Sequence, residues 1–502
     1  MLIHEYLARA AADRPDKVAL VSAGKHRTYR ELEVDADSLR AELQHIGVKV
    51  GDRVVIIVPN SVPAVVAIFG VAAAGGCLVT MDPSTPPEHI AYVMDHCRPA
   101  AIVVALDRLS LLVAAQELAT HRCAQLVLDD EGTVIDPQRG DSGSSPPAIT
   151  ADALCAIIFT SGSTGRPKGV TLTHRSVDTV AGTVCDYLHH ESDDVVLSVL
   201  QLAFGYGLLQ LLVTFRAEGR LILQSGYAFP YDLVKIIVGE RVTGLAGVPT
   251  LFALLLRLDN ISSDMFGSLR YLTNAAAAMP QSLLPKMQSM FPATQIYLMH
   301  GQTECLRTSF LPPDEIGTRP TSIGRGMSGV DMWLEDESSE PVPFGGSGEL
   351  IVRGPGVMLG YWNDPKASAA VVRTTDDPHV RILRTGDLFR TDGDGYFYFV
   401  ARRDDIIKSR GQKVSPLEVE EVLNARPEFI EVRVIGVPDD IFGNAIRAEV
   451  VLAEGAELNQ SMIKRYLRQH LEDYKVPQQI VAVNALPKSS SGKILRRTAT
   501  SG

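Results

Sequence analysis

The sequence predicts an α/β protein with a large N-terminal domain of two doubly wound α/β subdomains and a small β-barrel-like subdomain. A small α+β C-terminal domain follows. Three observations lead there. A chain of 502 residues is too long for one core. Apolar strands alternate with helical patterns through most of the first 320 residues, which implies βαβ units and mostly parallel sheets. Beyond that point short strands separated by Gly/Pro turns take over, and the charge balance changes after residue 403.

In order, Tyr29-Arg-Glu-Leu opens a helix, Arg53–Val58 is a strand and Val62–Ala74 an apolar helix. Cys77–Thr80 is the next strand, Pro87–His96 a helix and Ala100–Ala105 a strand, so residues 1–150 read as one doubly wound sheet. Asp141–Pro147 is a surface loop. Leu154–Phe159 and Val170–Leu172 are buried strands. A second α/β run over about 176–320 contains strands at Val195–Leu200, Arg220–Leu223 and Gly244–Gly247. The short strands Asp331–Leu334, Gly348–Arg353 and Tyr396–Val400 suggest a small antiparallel barrel or sheet. Arg402–Asp405 is a charged hinge, dividing the chain into 1–402 and 403–502. After it come a helix (Pro416–Ala425), strands (Ile430–Val437, Ala448–Leu452), a helix (Gln460–His470) and a tail.

A net charge of −11 argues against nucleic acid or an anionic membrane as the main partner. From Asp404 onward there are 14 basic and 14 acidic residues, so the whole −11 lies in the preceding part, with 34 against 45. The six cysteines are scattered without a CxxC pair, as in a reduced, cytoplasmic protein without a disulfide framework or zinc site. No basic region followed by an apolar one opens the chain, so no signal peptide is visible. The uncharged run Val195–Phe215 has the length of a membrane span, but Ser198, Gln201, Gly205, Gly207 and Gln210 make a buried strand, loop and helix the better reading.

Between the strands at 154–159 and 170–172 lies Thr160-Ser161-Gly162-Ser163-Thr164-Gly165-Arg166-Pro167-Lys168-Gly169. Glycines let backbone N–H groups crowd an oxyanion, hydroxyls donate to phosphate oxygens, and lysine adds charge. A flexible linker is the plain alternative, but linkers rarely join two buried strands. The loop is not a Walker A sequence, because no Gly-Lys-Ser/Thr closes it. It reads as a triphosphate-gripping loop of another kind.

This decapeptide resembles the signature loop of the adenylate-forming superfamily, which comprises acyl-CoA synthetases, adenylation domains of peptide synthetases and luciferases. Further motifs occur in that family's order along nearly the whole chain. His300-Gly301-Gln302-Thr303-Glu304 is similar to the family's Tyr-Gly-x-Thr-Glu, with His300 where tyrosine is usual. The resemblance implies that Glu304 and Thr164 bind Mg²⁺ and that His300 stacks on adenine. It also puts Thr160 to Gly165, Lys168, Ala275 and Gly301 to Thr303 around ATP. Arg384-Thr-Gly-Asp387 resembles the ribose motif, so Asp387 is expected to accept from both ribose hydroxyls. Ala401-Arg402-Arg-Asp404 resembles the family hinge, normally Gly-Arg-x-Asp, which implies that Arg402 contacts ribose or phosphate and Asp404 is the pivot of a mobile C-terminal domain. Pro487–Lys493 resembles the terminal motif whose lysine reaches the α-phosphate and the substrate carboxylate, which makes Lys493 catalytic beside Glu304 and Thr164.

The resemblance also implies an ATP-dependent ligase that activates a carboxylic acid as its adenylate and passes it to a pantetheine thiol. The acyl pocket is expected at Phe204, Gly205, Gly207, Gly247 and Ala276, with Phe204 at its mouth. Relatives that activate amino acids carry an aspartate at the position of Gly205. A buried ammonium without a carboxylate is costly, so an uncharged tail (fatty, branched or aryl) is expected. Close strand–helix packing is the other use for these small residues. The acceptor is CoA or a free-standing acyl or peptidyl carrier protein, and the wording Thr303-Glu-Cys-Leu-Arg307 shifts the balance slightly to the carrier. A carrier-loading amino-acid ligase, a luciferase-like oxygenase and a non-catalytic nucleotide-binding scaffold are the rival readings.

Overall fold

The structure is a computed structural model that describes the chain except residues 136, 138–145, 161–166, 227–228, 410–411, 440–442, 489–493 and 497–502. Two large mixed sheets form its body. In one, seven strands run in the order Gly360–Tyr361, Lys168–Thr173, Leu154–Thr160, Cys77–Thr80, Arg53–Ile57, Ala101–Ala105 and Ala124–Leu128. Leu154–Thr160 is parallel to Cys77–Thr80 but antiparallel to Lys168–Thr173, its hairpin partner. The second sheet has nine strands, centred on the parallel set Gln295–His300, Tyr271–Asn274, Gly244–Gly247, Val195–Ser198 and Arg220–Leu223.

One departure from the expected layout concerns residues 1–150. Val18–Ser22 and Lys25–Thr28 form a hairpin that joins the second sheet, with Val18–Ser22 parallel to Arg220–Leu223. The first sheet is completed instead by 154–173 and by Gly360–Tyr361. The N-terminus therefore clasps the two sheets together.

Between them lies the shared core. Val62–Ala73 is buried on every face from Val62 to Ala72, as its apolar composition requires. It packs on Tyr29–His45, which begins with a Thr28/Glu31 capping box. That approach is close: a Cβ on Gly70 would lie 2.9 Å from the Ala36 carbonyl oxygen. The uncharged run at 195–215 is resolved into Val195–Ser198, a loop and the buried helix Gly205–Arg216. Among the described residues no helix is long and apolar enough to cross a membrane.

A third, six-stranded antiparallel sheet contains Asp331–Glu335, Ser347–Gly354, Arg381–Thr391 and Phe397–Arg402. It corresponds to the small barrel-like subdomain. The strand Phe397–Arg402 ends in a single 3₁₀ turn, Arg403–Asp405. Beyond it, the hairpin Ile407–Ser409/Gln412–Val414, the three-stranded sheet from 429 to 482 and two helices enclose their own core, built on Val434, Ile446, Ile463 and Ile480. This part touches the body through Ser415 Oγ to the Val400 carbonyl (2.7 Å) and Lys413 to Glu337 (2.7 Å).

Candidate active site

Loops at one end of the two large sheets, together with the edge of the third, assemble the site. The register pairs Thr160 with Lys168, so the phosphate-type loop is the tip of a hairpin. Ser161, Gly162, Ser163, Thr164 and Gly165 lie outside the described residues, and Thr160 and Lys168 mark the two ends. Lys168 Nζ stands 5.0 Å from the centroid of the Tyr361 ring. The Tyr361 hydroxyl donates to Glu304 Oε1 at 3.0 Å. Burial first, then the Glu304 charge, push the tyrosine hydroxyl far above its ordinary range, so it remains a donor.

Residues 358–362 strap these parts together. Met358 N–H donates to the Glu304 carbonyl (2.8 Å), Leu359 N–H to Thr171 (3.0 Å) and Trp362 N–H to Gly169 (2.7 Å). Gly360 sits at φ +151°, a conformation that only glycine adopts readily, and its carbonyl accepts from the Thr171 hydroxyl at 2.6 Å. Glu304 thus has a fixed main chain and one fixed carboxylate oxygen, with the other free to ligate a hard cation. Mg²⁺ fits such a donor set, because it prefers few protein carboxylates and keeps water and phosphate oxygens. Among the described residues no group of three or more potential ligands competes for a metal.

Asp387 forms the second cluster. It is buried, and Gln302 Nε2 donates to Oδ2 at 2.5 Å. His300 Nε2 lies 3.7 Å from the same oxygen, and Arg402 Nε 3.4 Å from Oδ1. Burial alone would raise this carboxyl, but His300, the Arg402 charge and Gln302 outweigh it and hold it below the usual carboxylate range. His300 is fixed in turn by a 2.8 Å hydrogen bond shared with Thr308 Oγ1 and an edge-on contact with Phe389. Gln302 of this cluster and Glu304 of the other stand two residues apart in the same turn.

The segment from Gly301 to Arg307 folds back sharply. Gly301 is required there, since a Cβ would meet the Leu306 carbonyl oxygen at 2.0 Å. Leu306 adopts φ +57°, an uncommon conformation for a leucine. Thr303 is half-buried in this turn, and Arg307, next in line, is carried inward.

At the acyl end, Phe204 precedes the helix Gly205–Arg216 and is half-buried. A Cβ on Gly205 would make only ordinary van der Waals contacts, with Ile158 at 3.7 Å and Leu306 at 4.0 Å, so close packing does not by itself require glycine there. Gly207 and Gly247 have a packing use as well: a Cβ would reach the Gln201 carbonyl oxygen at 2.1 Å and Leu251 at 2.8 Å, respectively. Ala275 is buried and Ala276 exposed, with φ +69°, in a turn that Asn274 Nδ2 closes onto the Ala277 carbonyl (3.0 Å).

Asp404 is exposed in the 3₁₀ turn after Arg402. Lys493 lies outside the described residues, but the base of its loop is defined by the Lys488↔Ile494 bridge and Leu495 N–H to the Pro487 carbonyl (2.9 Å). Arg496 pairs with buried Glu420 and lies 3.7 Å from Asp405, tying that loop to the hinge turn. All six cysteine thiols are pushed up by burial, Cys123 to about 11 and Cys305, beside Glu304, to about 12. A raised thiol is a poor nucleophile, which disfavours these cysteines as the attacking group.

Sequence reasoning missed Tyr361 and did not weigh Arg307 as part of the pocket. The aromatic pair Tyr361-Trp362 after a glycine was a signal for the first, whereas a single arginine after Glu304 carries no pattern of its own.

Comparison with known proteins identifies the family. The AMP-binding enzyme profile matches residues 7–362, and that of the AMP-binding enzyme C-terminal domain matches 418–493. The chain is 30% identical to a long-chain-fatty-acid–CoA ligase of Salmonella typhimurium, covering 99% of this chain and 93% of that protein. It is 31% identical to a feruloyl-CoA synthase of an Amycolatopsis species, covering 97% and 96%. The crystal structure of ATP-bound MatB from Rhodopseudomonas palustris superposes with a TM-score of 0.88 at 28% identity, covering 98% and 97%. The chain belongs to the AMP-binding enzyme family and is an ATP-dependent, AMP-forming acid–thiol ligase.

Proposed function

We propose that the enzyme joins a carboxylic acid other than a free α-amino acid to a phosphopantetheine thiol, using one site for both half-reactions. The carrying observation is that Lys168 and Glu304 both contact Tyr361, while Gln302, two residues before Glu304, and Arg402 both face Asp387. Ribose hydroxyls donate to Asp387, the base lies by His300 and Ala275, and the phosphates lie between the 160–168 hairpin and Glu304. Mg²⁺, when held by Glu304 and Thr164, neutralises phosphate charge.

In the first half-reaction a carboxylate oxygen attacks the α-phosphorus and pyrophosphate leaves. Lys493 and Lys168 stabilise the charge that develops there. The part beyond Asp404, taken as the pivot, then turns and withdraws Lys493. The thiol sulfur attacks the acyl carbon, forming the thioester and expelling AMP. Phosphopantetheine is common to CoA and carrier proteins, and CoA is favoured by the names of the full-length relatives. Gly205, which offers no carboxylate to an ammonium, supports an acid without an α-amino group.

ATP–pyrophosphate exchange over fatty, aryl, dicarboxylic and amino acids tests this reading. Exchange is expected with acids lacking an α-amino group, followed by thioester formation on CoA or on a phosphopantetheinylated carrier. Exchange confined to free amino acids would overturn it. A second expectation concerns Tyr361→Phe, which releases one oxygen of Glu304. The Mg²⁺ concentration giving half-maximal MgATP binding should rise roughly ten-fold. Titration of intrinsic fluorescence reads this independently of turnover, and an unchanged Mg²⁺ dependence would remove Tyr361 from the role.

A further inference from the structure

Arg307 carries a charge into the acyl end that the protein does not answer. Arg40, Arg307 and Arg433 are the buried arginines among the described residues. Arg40 pairs with Asp37 at 2.6 Å, and Arg433 with Glu449. Arg307 is 3% exposed, its Nε is buried without a hydrogen-bond partner, and no described carboxylate, carbonyl or hydroxyl pairs with the guanidinium. A buried cation is costly unless something pairs with it.

Its position says what that partner is. The guanidinium carbon stands 5.1 Å from the Tyr206 ring centroid, a contact that orients the cation without neutralising it. Tyr206 is anchored by its hydroxyl to Thr273, at 3.2 Å to the carbonyl and 2.9 Å to Oγ1, just ahead of the Asn274–Ala278 turn. Its neighbour Gly205 lies by Leu306, the residue before Arg307: a Cβ there would stand 4.0 Å from the Leu306 side chain. The fold-back at Gly301 and the φ +57° of Leu306 shape the backbone from which Arg307 reaches the Tyr206 ring.

We propose that Arg307 reads a second carboxylate, so that the acid activated is a dicarboxylic acid. This rests on the acid-activating reading of the site. The remote carboxylate takes the guanidinium, for which a planar bidentate anion is the best match. The other carboxylate is left at the α-phosphate. The tail is then anionic instead of the uncharged one expected from Gly205, and both residues disfavour an ammonium: one omits the carboxylate it needs, the other repels it.

The test is pyrophosphate exchange with straight-chain monocarboxylic acids and the α,ω-dicarboxylic acids of equal chain length, for the wild type and for Arg307→Met and Arg307→Lys. The wild type should prefer the diacid at one or more lengths. Arg307→Met should lose exchange with that diacid by ~10²-fold, mainly through KM, while exchange with the monoacid persists and Tm holds or rises. Arg307→Lys should retain part of the preference. The diacid alone should raise the Tm of the wild type and not that of Arg307→Met. A wild type that prefers the monoacid at every length overturns the inference, whether or not the variants fold. An equal loss with both acids together with a lower Tm overturns it too, as the mark of a structural arginine. Absence of exchange with every acid removes the acid-activating reading, and this inference with it.

Discussion

Lys493→Ala should lower adenylate formation, read as pyrophosphate exchange, by about 10²–10³-fold. Thioester formation from a supplied acyl-adenylate should stay unchanged. The first expectation follows from charge. Attack on the α-phosphorus builds negative charge on oxygens that the chain must meet with cations, and removing one aimed donor costs on that scale. The second follows from how the lysine loop is held. Its base is fixed by the Lys488↔Ile494 bridge, by Arg433, which pairs with Glu449 and donates to the Leu495 carbonyl, and by Arg496 on Glu420. Each of these ties is made by a residue other than Lys493, so the alanine variant is expected to keep the fold of the C-terminal part. In the thiol step the leaving group is AMP, a good one, and under the proposed alternation the lysine has turned away. The measurement pairs exchange with a thioester assay on synthetic acyl-adenylate, using one protein preparation. A parallel fall in both rates would contradict the alternation of the C-terminal part about Asp404.

Much of this was legible because local patterns carry it. The phosphate hairpin is announced by two apolar strands around a run of glycines and hydroxyls, and the strands pair as that reading requires. Gln460–His470 is a helix at the predicted residues because an amphipathic stretch is bounded by Asn459, whose side chain caps it. The N-terminal hairpin was not legible as a member of the second sheet. Strand periodicity tells that Val18–Ser22 is a strand, never which sheet edge it meets, and its partner lies 200 residues away. Tyr361 and Arg307 were missed for the same reason at the scale of side chains. Tyr361 matters through a hydrogen bond to a residue 57 positions earlier. In the sequence Arg307 is only the last residue of the Thr303–Arg307 wording, and burial without a partner among the described residues is what sets it apart. Long-range juxtaposition is the information that a single sequence withholds.

Asp387→Asn should weaken ATP binding by about 10²-fold or more, with a smaller loss of stability. In the proposed site the carboxylate accepts from two ribose hydroxyls, and hydrogen bonds to a charged group contribute about 1.5–3 kcal/mol each. Asparagine keeps the shape but offers one acceptor oxygen and an N–H₂ group that opposes a hydroxyl hydrogen. It also removes the charge that faces Arg402 Nε at 3.4 Å and His300 Nε2 at 3.7 Å. Arg402 is exposed and can turn to water, so its share of the stability loss is small. The pH dependence separates binding from folding. Because the carboxyl is held below the usual range, it stays ionised through neutral pH. Its contribution to stability is fully present above the unfolded value, about 3.9, and is lost as pH falls through the lower folded value. The affinity of the wild type for ATP should therefore owe no pH dependence to this group between about pH 5 and 8, and the Asn variant should be weaker by a constant factor across that window. Calorimetric titration with ATP, beside a thermal melt at each pH, reads both quantities. An Asn variant that melts like the wild type and binds ATP as tightly would show that the ribose lies elsewhere, and the nucleotide would have to be turned away from Asp387.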